Sequence, residues 1–424
     1  MPETRVRRWR LAIIAVCCLV LIAGCTSVPQ PEFLLPAQRS TWGDIITLGA
    51  AQQLFAPAML PLQDRVEIAW TGGGVEEGSP SGEVSTGFFQ WMRGAALQSS
   101  APDVISEIVR LPLPPVFPQA QQLFPAGDDH THLLWLDAAY DDDANRAPLL
   151  WSALFTPSRD MAFGPVRLTP PGVFRYAALG DGAGGVQIVY STGIPAEPQL
   201  MLLRLDASGR PRPTLPLGSG DWPVLVQAGD GHTRLFWLDA LGRVQQATLS
   251  GDTLTGAITT GAAPQLARGD RLRAFTIGVD VTHVYAFWTI ARASGEVETW
   301  LASGHIEDPH WSMPRRLGIT VETTQSLETG FNGGAAQVAV AGERWLRWAN
   351  PLPGVFDVLA VAAQVDDRLG IVYLQNGDVV GYQPVVDLGE SQLITPPVIR
   401  TDIRRHLYLT WVQSAGYINL TTTH

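Results

Sequence analysis

The run Asp141-Asp142-Asp143-Ala144-Asn145 is the densest set of hard oxygen donors in the chain. Asp141, Asp143 and Asn145 alternate, a spacing that suits Ca²⁺ ligation from one loop. The EF-hand pattern is not met: Arg146 stands where the turn glycine belongs, and Ser152 where the bidentate glutamate should be. A solvated hairpin loop accounts for the same run, and no other cofactor is expected. Histidine is the second candidate. His130, His132, His232, His283 and His406 recur at the entry to apolar runs. Converging on one point they would bind a metal. Repeated once per structural unit they stand apart and bond nearby backbone, and their recurrence favours that reading. Trp222, Trp300, Trp311 and Tyr140 lie outside the recurring pattern and are the candidate binding aromatics, with ring faces able to stack on a ligand.

Catalytic spacing is missing. No pair of carboxylates is distinguished for general acid and base work. Gly78-Ser79-Pro80-Ser81-Gly82 puts proline at the nucleophile position of a G-x-S-x-G elbow, and neither a phosphate-binding loop nor H-E-x-x-H occurs. No catalytic residue is assigned, and the inventory leans toward binding rather than catalysis.

Whatever presents these residues is a repeat. Residues 126–138 read AGDDHTHLLWLDA and residues 228–240 read AGDGHTRLFWLDA, with a degenerate copy, LGDGAGGVQIVYS, midway at 179–191. The period is therefore about 51 residues. Looser copies carry aromatic anchors at Trp70, Trp288, Trp348, Tyr373 and Trp411, beside Trp135, Tyr190 and Trp237. The turns Asp206-Ala-Ser-Gly209-Arg210 and Asp239-Ala-Leu-Gly242-Arg243 share one pattern, with Asp at the turn entry and Gly supplying positive φ. Glycine and proline are dense and no helical periodicity stands out, so the chain reads as all-β.

Four short strands per repeat make a propeller blade, which buries its faces only against neighbours. One β-propeller over residues 43–424 is expected. Trp348 and Tyr373 are 25 residues apart, too close for two blades. Seven blades are favoured, with eight or six as alternatives. The last copy leaves no room for an outer strand, so Asp44–Leu48 is expected to supply it and close the ring with strands from both termini. Residues 71–86, rich in Gly, Ser and Glu, read as a long loop or, equally, as a disordered segment.

The N-terminus has its own logic. Arg5, Arg7, Arg8 and Arg10 precede an apolar run from Leu11 to Ala23, and Ile22-Ala23-Gly24-Cys25 follows. A run of 13 residues is short of the roughly 20 that span a bilayer and fits a secretory signal. The ending resembles a bacterial lipobox. That resemblance implies a signal peptide over 1–24, cleavage before Cys25, lipidation of its thiol with a palmitate-type chain, and a Pro-rich tether over 25–42. Cys17, Cys18 and Cys25 are the three cysteines, so the domain beyond carries no thiol.

The H-x-h-h-W strands and D-x-x-G turns loosely resemble sialidase-like and WD-repeat-like propellers. The Ser-x-Asp-x-Gly-x-Thr-Trp box of the sialidase group is absent, so no catalytic residue is carried over from it. Charge narrows the partners. There are 29 basic residues, all Arg, against 40 acidic ones, a formal net charge of −11. Four of those arginines fall in the expected signal, so the remainder is more acidic still. Phosphate neutralisation needs a basic face, which argues against nucleic acid. The expectation is a monomeric extracytoplasmic propeller, lipid-anchored to the cell membrane, or to the outer membrane where there are two. It would serve as a binding or scaffold module for an envelope protein or polysaccharide. A sialidase-like glycan hydrolase is the alternative.

Overall fold

The computed structural model describes residues 42–50, 56–63, 65–74, 86–95, 108–111, 113, 119–138, 147–328 and 335–423. The signal, Cys25, most of the tether, Tyr140, Asp141, Asp143 and Asn145 lie outside the described residues. Among the described residues the chain is strand and turn, with one short 3-10 turn at Gly127–Asp129. The strands form seven mainly antiparallel sheets of four or five strands in a propeller arrangement.

Four of the seven sheets are built outward in strict chain order, and the main four strands of the others follow it except that the N-terminal strand completes the seventh. Innermost strands are Ala58–Pro61, Gln119–Pro125, Val173–Gly180, Asp221–Gln227, Arg271–Asp280, the end of Ala335–Pro351, and Val398–Thr401. Second strands pack between two neighbouring sheets, so both their faces are covered. That is why they are continuous apolar runs without period-2 alternation. Leu407–Val412 and Leu359–Val365 are buried at every position. An outermost strand such as Thr253–Thr259 is polar and largely exposed.

The anchors Trp70, Trp135, Tyr190, Trp237, Trp288 and Trp411 all sit on second strands and are buried. They help fill the clusters between sheets. Trp135 stacks on Trp151 with ring centroids 6.2 Å apart. Trp91 of the first sheet meets Phe155 of the second edge-on at 5.3 Å. The last cluster joins the ends: Met59, Ile68 and Trp70 of the first sheet pack with Tyr408, Ile418 and Leu420 of the seventh.

Closure uses both termini. Ile46–Ala50 is the outer strand of the seventh sheet, with Ile46 opposite Leu420 and Thr47 opposite Asn419. Gly43 N–H extends the ladder to Thr422 O at 2.8 Å, and Leu48 buries its side chain beneath the strand. The expected segment, Asp44–Leu48, is therefore displaced by about two residues but pairs as anticipated.

Trp348 and Tyr373 share one sheet, and neither stands on its second strand. Both belong to the sixth sheet, Trp348 on its innermost strand and Tyr373 on its third, while the second strand, Leu359–Val365, has no aromatic residue. The two D-A-x-G-R turns share chemistry but not position. Asp206 lies between the third and fourth strands of its sheet, Asp239 between the second and third of the next. In both turns the carboxylate accepts from backbone N–H groups two and four residues on. The expected loop over 71–86 is shorter, because Arg65–Gly74 and Thr86–Ala95 pair as far as Gly74 opposite Thr86.

Candidate functional site

Seven innermost strands enclose an axial channel with a cavity of about 530 Å³. Each approaches the axis with one face against the next sheet. Three carry a bulge whose first residue has positive φ: Ala120 at 51°, Trp222 at 55° and Trp348 at 51°. All three lie at the same place, where pairing to the second strand skips two residues. A bulge sharpens the local twist and bends the strand, here at one end of the channel.

The wall is mostly apolar, with Met59, Phe124, Leu179, Val226 and Phe275 among its side chains. Its amides are largely committed to the frame. Gln121 Nε2 donates to Ala56 O at 2.7 Å, Asn350 Nδ2 to Pro397 O at 2.9 Å, and Gln227 Nε2 to Gly231 O at 2.8 Å. The Tyr176 hydroxyl donates to Ala120 O and lies within reach of Leu134 O, and burial raises its pKa well above the usual value. Among the described residues one charged side chain, Arg400, lines the cavity, and the lining includes no Asp, Glu or His. Arg400 Nη1 donates to Ile399 O at 2.8 Å. Burial pushes its guanidinium pKa down to about 10.

The predicted binding aromatics do not converge here. Trp222 forms a latch between the third and fourth sheets. Arg175 lies over its ring at 3.7 Å and pairs with Asp221 at 2.6 Å, and Asp221 also accepts from Ser191 Oγ at 2.7 Å. Trp300 donates Nε1 to Glu298 at 2.9 Å, and Arg292 lies 5.3 Å from its ring. Trp311 covers Gly304 and packs beside Phe236. These indoles are half-buried and hold sheets together.

The histidines stand apart as turn residues. His406 Nδ1 lies 3.0 Å from Asp402, and His283 N–H donates to Asp280 at 2.6 Å. His232 N–H donates to Asp230 at 2.9 Å. His130 Nδ1 contacts the carbonyls of Gly127 and Asp128 at 3.1 and 2.9 Å. His132 is fully buried, with Nε2 at 2.9 Å from Gly184 O, and burial lowers its pKa. Among the described residues no three His, Cys, Asp or Glu side chains group to hold a metal. Arg400 escaped the sequence reading because one arginine in a short apolar strand looks like any other until its surroundings are known.

No protein-family model and no curated protein matches this chain. Solved structures do resemble it. The polysaccharide lyase Uly1 aligns over 93% of this chain and 95% of its own at 10% identity, with a TM-score of 0.51. The Dos1 propeller aligns over 90% and 95% at 10% identity, with a TM-score of 0.45. The Aleuria aurantia lectin AAL aligns over 79% and 96% at 10% identity, with a TM-score of 0.41. At such identities the likeness is one of fold: this chain is an all-β protein with the sheet arrangement of a propeller.

Proposed function

We propose that this chain is a lipid-anchored, extracytoplasmic propeller, its seven sheets serving as seven blades, that binds an envelope protein or polysaccharide without converting it. The observation that carries this reading is the axial wall, which among the described residues offers one arginine and no carboxylate or imidazole. Glycoside hydrolysis by the usual route needs two carboxyl groups roughly 5–9.5 Å apart, and the described residues of the cavity wall supply none. The anchor rests on Cys25 and the basic-apolar segment before it.

Two experiments test the proposal. Labelled palmitate should enter the wild-type chain and not Cys25→Ser, which should also leave the membrane fraction. Equal label in both removes the anchor. Crosslinking in intact envelopes should recover a protein or polysaccharide partner. Recovering none, together with release of sugars from envelope glycans by the purified chain, would replace binding with hydrolysis.

A further inference from the structure

The repeat allows the channel to be compared with itself. Count three residues back from each second-strand anchor and read the innermost residue paired there. The positions are Leu60, Phe124, Leu179, Val226, Gly278 and Arg400. All but Leu60 line the cavity. Five of the six are uncharged and without a polar side-chain group, so the fold asks for no charge at this level. The sixth is a guanidinium.

Its surroundings do not answer it. Apart from Nη1 to Ile399 O, no ion pair or further hydrogen bond engages Arg400 among the described residues. Arg400 is half-buried on this wall, and arginines drawn partly out of water are ordinarily paired, because lost hydration of a charge is costly without a counter-ion. Val398, on the same side of its strand, is apolar, as are Met59, Phe124, Phe275 and Leu352 on other parts of the wall. A cavity of about 530 Å³ lies in the range of small-molecule sites. Arginine's planar fork matches a carboxylate with two parallel N–H bonds. A single positive charge balances a monoanion. A neutral sugar would want many hydrogen-bonding partners, and three of the four amides on the described wall, those of Gln121, Gln227 and Asn350 but not Gln122, already donate to backbone carbonyls.

We infer that the axial channel binds a small organic carboxylate with an apolar body, its carboxylate on Arg400 and its apolar part along the channel wall. This rests on the reading of the propeller as a binding module and names one ligand class for it.

Calorimetric titration with octanoate, octanamide and acetate tests the inference. Octanoate should bind once per chain. Octanamide, which lacks the charge, should bind roughly thirty-fold more weakly or worse, as expected when one partner of a charge pair is removed, and acetate should bind at least as weakly because it lacks the six methylenes of the apolar body, each worth about 0.8 kcal/mol when buried. Arg400→Val, which installs the residue of the fourth sheet, should lose the preference for octanoate over octanamide. Arg400→Lys should keep part of it. Without ligand, Arg400→Val should melt at or above the wild type, since it removes an unanswered, half-buried charge from an apolar wall. A variant that melts well below the wild type would make Arg400 a structural residue and overturn the site. So would equal binding of octanoate and octanamide, or failure of octanoate to bind the wild type. If that failure comes with envelope partners still recovered by crosslinking, the channel site falls alone; with none recovered, the binding module falls too.

Discussion

Pairing of the two termini can be tested by a covalent bond across it. Thr47 and Asn419 are opposed across the junction, and Thr47 Oγ1 donates to Asn419 Oδ1 at 2.9 Å. Opposed residues in antiparallel strands have Cα atoms about 4.5–5.5 Å apart, inside the roughly 4.4–6.8 Å that a disulfide spans. All three native cysteines precede the propeller, so Thr47→Cys with Asn419→Cys, in a chain begun after Cys25, creates one thiol pair without competitors. The two positions are 372 residues apart. Chain entropy alone gives about 6 kcal/mol for a loop that long, and measured crosslinks typically deliver about 2–4 kcal/mol. Unfolding entropy of about 2.1 cal/mol/K per residue comes to roughly 0.8 kcal/mol/K for a domain of this size. The oxidised form should therefore melt about 3–7 °C above the reduced form of the same variant, a comparison that cancels the lost Thr47–Asn419 hydrogen bond. Circular dichroism melts with and without reductant, alongside a thiol count, provide the readout. Thiols that stay free in air, or oxidised and reduced forms that melt together, would refute the pairing.

Other perturbations follow from single contacts. Gly220 has φ +156°, and a Cβ there would overlap the indole of Trp237. Gly220→Ala should cost roughly 2–5 kcal/mol through overpacking and strain, lowering Tm by about 3–6 °C; an unchanged melt would mean the indole moves freely. His132 has its pKa lowered by burial, so below about pH 6.5 the unfolded chain binds a proton that the folded one resists. Its contribution is complete above that pH and erodes as pH falls, so a Tm profile from pH 8 to 5 should be flatter for His132→Phe than for the wild type; parallel profiles would remove His132 as the cause. Tyr176, Tyr190, Tyr285, Tyr373, Tyr382 and Tyr408 all have raised pKa values with burial as the leading cause, Tyr382 to about 12. Unfolded tyrosines release protons first above about pH 10, so stability should be complete below that pH and fall above it. Absorbance titration of phenolate should show most tyrosines ionising together with unfolding, and smooth independent ionisation in the folded state would contradict their burial.

The sequence disclosed those parts of the fold that every repeat must satisfy locally. Second strands are covered on both faces, so Trp135, Trp237 and Trp288 stand in apolar runs that announce themselves. Asp206 and Asp239 mark turns because a carboxylate that accepts from backbone N–H two and four residues on needs only its own segment. The sixth sheet is only partly legible because an aromatic marks a strand without saying which strand. Trp348 occupies a positive-φ bulge, a place that Ala120 fills equally well elsewhere. Trp300 and Trp311 suggested a binding surface because they fall outside the repeat, yet neighbouring strands and the Glu298 carboxylate half-bury and fix them. Arg400 was illegible for a different reason. Its meaning lies in what does not face it, and those neighbours come from segments spread over the whole chain.

Internal symmetry supplies a comparison that a non-repeating fold could not. At positions related by the repeat, packing and backbone demands are nearly the same, so a residue shared among sheets reports on the fold and a departure reports on something else. The second-strand aromatics are shared and do the packing between sheets. The Asp-led turns at Asp230, Asp280 and Asp402 are shared and close the loops between first and second strands. The bulges at Ala120, Trp222 and Trp348 recur in alternate sheets with unrelated side chains, so they too belong to the backbone of the ring. Arg400 is the departure at its level, set among Phe124, Leu179, Val226 and Gly278. Those residues show that the position folds without charge. The cost of keeping a half-buried, unpaired guanidinium there therefore needs a benefit outside folding, and an anion entering the channel is the benefit that the geometry can accommodate.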